Sequence, residues 1–345
     1  MTGKLRKGWT TGACAAAAAR AAFTALHAGR FPDPVTVTLP QGLTPSFALA
    51  RAELTPASAT AGVIKDAGDD PDVTHGALIL ATVQPAPAGS GIRFRAGEGV
   101  GTVTLPGLPL AVGEPAINPG PRAQISENIA EAAVALGVGA DAVVTVSIPG
   151  GAALAEKTMN ARLGIVGGLS ILGTNGVVVP YSCAAWVHSI HRGIDVARSL
   201  EICHLGATTG KTSEAVLRRE LNLPDQALID MGDMAGAVLK YLRSHPVRKL
   251  TLCGGIAKLA KLAAGEMDLH SRTVAVDMAF LATLVPEIDL SGCSSAAQAA
   301  PLAGPLLGDR VARRAREAAL AVLAGGTEVA VIAVDRAGHV VGRAG

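Results

Sequence analysis

The hydrophobic positions of the chain follow two rhythms that meet near Ser182. Before that point short β-prone runs are separated by loops rich in glycine and proline; after it, helical and extended segments alternate. A run of alanines begins after Thr10-Thr11-Gly12 and ends near His27 and Gly29. Alanine's helix propensity and a threonine at the cap position predict a helix there, one whose small side chains suit very close packing. Strands are predicted over 35–39 and 47–54 with a turn at Gln41-Gly42, then over 77–83, 92–95 and 101–105. Ile125, Ile129, Ala133 and Leu136 form one helical stripe closed by Gly137, and 142–148 reads as the following strand.

In the second half, Trp186, Ile190, Ile194 and Ala197 form the apolar stripe of a helix over 184–199. Strands are predicted at 202–205, 227–231 and 249–253, the last running through Gly254-Gly255 into a helix with Ile256, Leu259, Leu262 and Ala263. A helix over about 307–323 and a strand over 329–334 close the pattern, with a turn at Arg336-Ala337-Gly338. The expected fold class is α/β: a mixed α+β domain over 1–182 carrying glycine-rich loops, and a Rossmann-like α/β domain over 183–345.

The polar punctuation carries the candidate chemistry. From Ser147 to Pro180 the chain reads SIPGGAALAEKTMNARLGIVGGLSILGTNGVVVP, with Lys157, Thr158, Asn160 and Arg162 beside a dense set of glycines. Such a stretch suits either backbone amides turned toward an anionic ligand or tight turns between buried strands. Thr10 and Thr11 stand where a helix start can grip a carboxylate or merely cap itself. Asp66, Asp69, Asp70 and Asp72 crowd the segment from Lys65 to His75. Their spacing lacks the alternation of a calcium loop, so they are either a solvated turn or a strand-end site with His75 as its proton carrier.

Three suggestive patterns fail on spacing or context. The GEGVG run at 97–101 is followed by β-prone residues, whereas a dinucleotide fingerprint requires a helix. GATTGKT at 206–212 has three residues between its glycines where a P-loop has four. His188, His191 and Asp195 share a helix face, which reads as a wet surface rather than a metal site. What survives at 206–212 is a strand, a glycine turn and a helix start, so Gly206, Gly210 and Gly254 are cofactor-turn candidates. Asp230, at a strand end, is placed either to hold ribose hydroxyls or as a surface acid.

At 345 residues two domains are expected, and 49% hydrophobic with 17% charged residues describes a globular chain. Aromatic residues make up 3%, so a flat ligand would lie on aliphatic and backbone surface. A net charge of +2 without basic blocks excludes binding driven by nucleic-acid phosphates. The five cysteines form no metal spacing and read as free buried thiols of a reducing compartment. The alanine run, interrupted by Arg20, is too short and too weakly apolar to span a bilayer, and no signal-type core follows the first basic residues. A cytoplasmic protein without membrane contact is expected; the oligomeric state is open, a homo-oligomer included.

Three segments, LRKGWTTGACAAAAARAA, VIKDAGDDPDVTHGA, and SIPGG with LAEKTMNARLGIVGGLSILGTNG, resemble the signature of the cobalt-precorrin-5B C(1)-methyltransferase family of anaerobic cobalamin biosynthesis. The resemblance implies transfer of a methyl group from S-adenosyl-L-methionine to ring carbon 1 of cobalt-precorrin-5B, giving cobalt-precorrin-6A. Cobalt then arrives inside the substrate, and no protein metal site is required. The implied substrate grips are Thr10, Thr11, Lys65, Asp69, Asp70, Arg122, Lys157, Thr158, Asn160 and Arg162, with His75 or Asp66 managing a proton near the ring. The donor is expected at Gly206, Gly210, Gly254 and Asp230, with Gly167, Gly168, Ser170, Gly173 and Thr174 as the competing location. Met159 stands where the resemblance leads one to expect an aromatic in KTxN. A tetrapyrrole carrier and an ATP-dependent small-molecule enzyme are the alternative classes.

Overall fold

Helix α1 (Thr11–Ala28) starts from Thr10, whose Oγ1 accepts from the Ala13 amide at 3.2 Å, and stops at Gly29 in the left-handed region. From Ala13 to Ala22 every residue but Arg20 is fully buried. With mostly methyl groups on its surface, α1 lies close upon two strands of a sheet and upon a second long helix. Arg20 is the exception that proves useful: its guanidinium reaches Asn128 (3.1 Å) and Glu131 (2.6 Å) on that second helix.

The computed structural model describes residues 5–271 and 273–345, and the chain divides into two units between Ser182 and Cys183. The first unit holds a five-stranded sheet of β1 (Arg51–Leu54), β2 (Ala59–Ile64), β3 (Leu78–Pro85), β4 (Ile92–Ala96) and β5 (Ala142–Ser147). Its order is β1-β2-β3-β5-β4, antiparallel except for the parallel pair of β4 with β5, in which Phe94 lies beside Val144. The second helix, α2 (Pro119–Leu136), buries Ile125, Ile129, Ala132 and Ala133 beside α1. Around this core run the loops: Gly8–Trp9 pairs with Val177–Val178, and Thr102–Val103 with Ile165–Val166.

In the second unit α3 (Cys183–Ser199) leads into β6 (His204–Thr208), α4 (Lys211–Leu221), β7 (Leu228–Asp230), α5 (Ala235–Ser244), β8 (Lys249–Gly255) and α6 (Ile256–Ala263). The short α7 (Met278–Leu284), the long α8 (Ala296–Leu323), β9 (Glu328–Val334) and β10 (Val340–Ala344) complete it. Sheet order is β7-β6-β8-β9-β10, parallel but for β10. Alternate residues of β9 separate two cores: Val329, Val331 and Ala333 face the helices α3, α5, α6 and α8, whereas Ile332 and Val334 face α4.

The mixed α/β class is as expected, and several elements differ in detail. Counting strands within the second unit, the order is 2-1-3-4-5, the flavodoxin-like member of the doubly wound folds, with an antiparallel edge strand in place of a Rossmann half. The strand expected at 202–205 lies later, at 204–208, because Leu205 and Ala207 carry its buried face. β10 follows a turn that the sequence reading left as the end of the sheet, and α7 was not predicted. The strand expected over 47–54 is broken into Ser46–Phe47 and β1. Of the five thiols expected to be buried, Cys14 and Cys253 are; Cys183 and Cys203 are exposed and Cys293 is intermediate. Burial pushes both buried thiols up to about 12. Among the described residues no helix is long and apolar enough to cross a membrane.

Candidate functional site

The acid segment leaves β2 at Lys65 and returns into β3 after Ala77, as a strand-end loop. It is closed on itself by the Lys65 amide donating to the Ala77 carbonyl (2.9 Å) and the Gly76 amide to the Lys65 carbonyl (2.8 Å). Arg6, just ahead of the paired segment Gly8–Trp9, is stitched along it. Its guanidinium clasps the Asp66 carboxylate, one Nη lying 2.9 Å from Oδ1, and its amide donates to Asp69 at 2.6 Å. The Trp9 amide donates to the Asp66 carbonyl (2.7 Å) and the Asp69 amide to the Arg6 carbonyl (3.0 Å). Such contact between two backbones leaves no room for side chains: a Cβ on Gly8 would collide with the Ala67 carbonyl, and one on Gly68 with Arg6. Tyr181 joins the same surface, its amide donating to Asp70 at 2.8 Å. Leu5, Val73, Val179 and Tyr181 are exposed.

Lys65 was expected to hold a substrate carboxylate, and the structure corrects this. Its side chain is 2% exposed and its ammonium is spent on Asp72 and the Thr74 hydroxyl. Burial works against a charge on Asp72, but the Lys65 ammonium and the Thr74 hydroxyl and amide outweigh it and keep the carboxyl below its usual range. Lys65 and Asp72 are therefore the fastening of the loop.

Asp66 is corrected as a proton-managing group. Hydrogen bonds from Arg6 and then from the Gly68 amide pull its pKa down to about 2, so at neutral pH it is a fixed anion and a weak base. His75 differs. Its Nδ1 accepts from the Ala67 amide at 3.1 Å and lies 3.9 Å from Asp66 Oδ1, so the neutral ring carries its proton on Nε2, and the side chain is exposed.

The remaining first-unit candidates belong to other networks. Thr10 and Thr11 are buried, and the helix start is closed: the Gly12 amide donates to Leu172 (3.0 Å), Ala13 to Thr10, and a Cβ at Gly173 would strike the Thr10 side chain. This end of α1 caps itself and does not offer an anion site. Arg122 donates to the Ile117 carbonyl (2.8 Å) and Glu114 (2.7 Å) and lies over Phe94 at 5.3 Å, which makes it the brace of the loop at 106–118 and not a free fork. Thr158 donates to Ala155 and receives the Asn160 amide, while buried Asn160 donates to Gly168 (3.0 Å) and receives Ser170 Oγ (3.3 Å). These three residues hold their own loop in shape. Gly168 is pressed on the backbone of Gly99, and Gly151 on the same residue. The rejected GEGVG run thus serves as the floor on which two other glycine loops rest. Gln124 donates to the Gly173 and Thr174 carbonyls at 3.0 and 3.3 Å. Of the candidates in this stretch, Lys157, Gly167 and Thr174 are exposed and Arg162 is half-buried, and no atom stands within 4 Å of a Cβ built on Gly167.

The second-unit candidates split. Gly206 lies inside β6, where a Cβ would meet Leu217 at 2.7 Å, so it is a packing glycine and not a turn. Gly210 and Gly255 stand at the exits of β6 and β8 with nothing within 4 Å of a Cβ; Gly254 is packed on Thr209. Between them the Lys258 ammonium pairs with Asp233 at 3.0 Å and donates to the Thr209 carbonyl at 2.9 Å. Thr208, the last residue of β6, is buried with no partner for its hydroxyl among the described residues. Asp230 ends β7 beside Thr208 in register, and its Oδ1 accepts from the Gly232 amide at 3.2 Å.

On the helix face of His188, His191 and Asp195, expected to be a wet surface, His191 stacks on Tyr241 at 4.0 Å, and Asp195 pairs with Arg192 (3.0 Å) and receives the Tyr241 hydroxyl (2.7 Å). Among the described residues no group of three His, Cys, Asp or Glu side chains is placed to hold a metal ion. Sequence reasoning missed Arg6, Trp9 and Tyr181. The legible signal was the pair of glycines, Gly8 and Gly68, each flanked by functional groups.

Comparison with known proteins agrees with the order of these motifs. The profile of the CbiD family matches residues 1–180. The chain is 54% identical over 351 residues to the cobalt-precorrin-5B C(1)-methyltransferase of Paramagnetospirillum magneticum, covering 99% of this chain and 98% of that one. It is 56% identical over 351 residues to the protein of that name from Bradyrhizobium sp., covering 98% and 93%, and 61% identical over 283 residues to that from Methylorubrum extorquens, covering 82% and 78%. The crystal structure of the cobalamin biosynthesis protein (cbiD) from Archaeoglobus fulgidus is 28% identical, covers 78% of this chain and 83% of its own, and superposes with a TM-score of 0.42. The chain belongs to the CbiD family, among relatives that carry the cobalt-precorrin-5B methyltransferase name.

Proposed function

We infer that the chain is a methyltransferase of cobalamin biosynthesis that methylates carbon 1 of cobalt-precorrin-5B, with S-adenosyl-L-methionine as the methyl donor. The observation that carries this reading is identity above one half with relatives of that name across nearly the whole length of both chains. Its substrate is a corrinoid fringed by carboxylates. The exposed Leu5, Val73, Val179 and Tyr181 beside the acid loop offer a largely apolar face for the macrocycle, with the exposed Lys157 as a cation for its acid groups.

A sulfonium donor brings an already activated methyl group, so the protein's part is to bind, orient and exclude water. His75 is the group assigned to manage a proton near the ring; in the resting loop its Nε2–H is free to donate, and taking up a proton at Nδ1 would cost the hydrogen bond accepted from the Ala67 amide. Arg6 and Asp66 hold the loop that carries it. For the donor, the second-unit crevice fits better than the GGLSILGTNG loop. It lies between β6 and β8, at the switch point of a 2-1-3-4-5 sheet, where ligands of this architecture bind outside the strand ends. It has two uncrowded glycines at 210 and 255 and a buried hydroxyl at Thr208 lacking a partner among the described residues, whereas Gly168 and Gly173 are already pressed on protein atoms.

The deciding test is incubation of the protein with the corrinoid intermediate and isotope-labelled donor, read by mass for one added methyl; an unmodified corrinoid overturns the reading. His75→Ala is expected to lower turnover about a hundredfold or more with little change in corrinoid affinity. Calorimetry of S-adenosyl-L-homocysteine with Asp230→Ala is expected to show weakened binding, and an unchanged affinity removes Asp230 from the donor site.

A further inference from the structure

Trp186 is one of two tryptophans in the chain. Its apolar stripe predicts it in the core with Ile190 and Ile194, and those two are buried, yet Trp186 is 50% exposed. The indole sits instead at the carboxyl end of β7, where Nε1 donates to the Asp230 carbonyl at 3.2 Å. Gly232, at φ 53°, lies against the ring: a Cβ there would stand 3.3 Å from Cζ2. One edge and part of one side of the indole are thus fixed, while half of its surface is open. Because Asp230 lies beside Thr208 in register, the ring stands one strand outward from the crevice at the β6 exit. A large, oriented and half-exposed π-surface one strand away from the uncrowded turns at Gly210 and Gly255 is suited to a flat aromatic ligand.

We propose that Trp186 is the platform on which the purine ring of the adenosyl donor stacks, making the β7 end an adenosine subsite. The proposal rests on the second-unit placement of the donor given above. The subsite selects for the base; the amino-acid end of the donor lies toward the glycine turns at 210 and 255. Stacking on the indole sets affinity without entering the chemistry, so Trp186 is a binding residue and not a catalytic one.

The test uses the full chain with Trp9→Phe, which leaves Trp186 as the sole indole fluorophore. S-adenosyl-L-homocysteine and adenosine are each expected to quench it saturably, and methionine to leave it unchanged. By calorimetry, Trp186→Ala is expected to weaken S-adenosyl-L-homocysteine binding about tenfold, and Trp186→Phe, which keeps a ring, by less than about threefold. Binding that is undiminished in Trp186→Ala and silent in the fluorescence overturns the stacking platform while leaving the donor site at 210 and 255 intact. Binding that is also undiminished in Asp230→Ala and in Gly210 and Gly255 variants overturns the second-unit placement itself. Absence of any binding to the unsubstituted chain overturns both.

Discussion

Two sets of glycines, one from each unit, look alike in sequence and do opposite things. In the first unit Gly8, Gly68, Gly99, Gly151 and Gly168 bring backbone against backbone, and a methyl group on any of them would meet main-chain atoms. In the second, Gly210 and Gly255 border open space at strand exits. A glycine-rich stretch therefore announces close approach without saying to what. The first set packs main chain on main chain, and the second borders space left open at the strand exits.

The sharpest way to break that contrast is to add one methyl group on each side. Gly68→Ala or Gly168→Ala is expected to cost more than about 3 kcal/mol, because main chain cannot step aside as a side-chain tip can. Gly255→Ala, at φ −60° with nothing in reach, is expected to stay within about 0.5 kcal/mol by urea unfolding. Equal losses at the two sites would erase the distinction. Next in size is Lys65→Met, which leaves Asp72 partly buried without its cation; about 3 kcal/mol is expected from the loss of one partner. Asn160→Ala, which strips the hydrogen bonds to Gly168 and Ser170, is expected to cost about 2 kcal/mol and to loosen the 164–170 loop toward proteolysis.

The smallest effect belongs to the exposed Arg6–Asp66 clasp. Asp66 has its folded pKa depressed to about 2, so its contribution is complete above the unfolded value of about 3.9 and disappears as pH falls toward about 2. Thermal melts between those limits should show a component of acid destabilisation that Asp66→Asn lacks. A variant with the wild-type slope would mean the clasp adds nothing.

The long elements were legible because their patterning is strong: α1 from its alanines, α2 from its four-residue stripe, and β5 and β8 from β-prone runs that are mostly apolar. β10 escaped because Val340–Ala344 is too short and too glycine-interrupted to alternate visibly. The acid loop was legible as a site candidate since carboxylates crowd there. Its internal assignments were not, because whether Lys65 faces outward or is buried on Asp72 depends on a turn that places Thr74 behind it. For the same reason Arg122, attractive as a fork, was already engaged by Glu114 eight residues earlier. Trp186 obeyed the helical stripe and still emerged, since the stripe fixes the face and not how far the neighbouring elements extend to cover it.

Helix α1 has a consequence for anyone surveying variation in this chain. Ten consecutive positions from Ala13 allow, with Arg20 aside, nothing bulkier than what stands there now. A saturation library would single out this stretch as the least forgiving of all, although it performs no chemistry. Intolerance there would measure the thickness of a spacer, and ranking residues by it would send the search for the reaction centre to the wrong address.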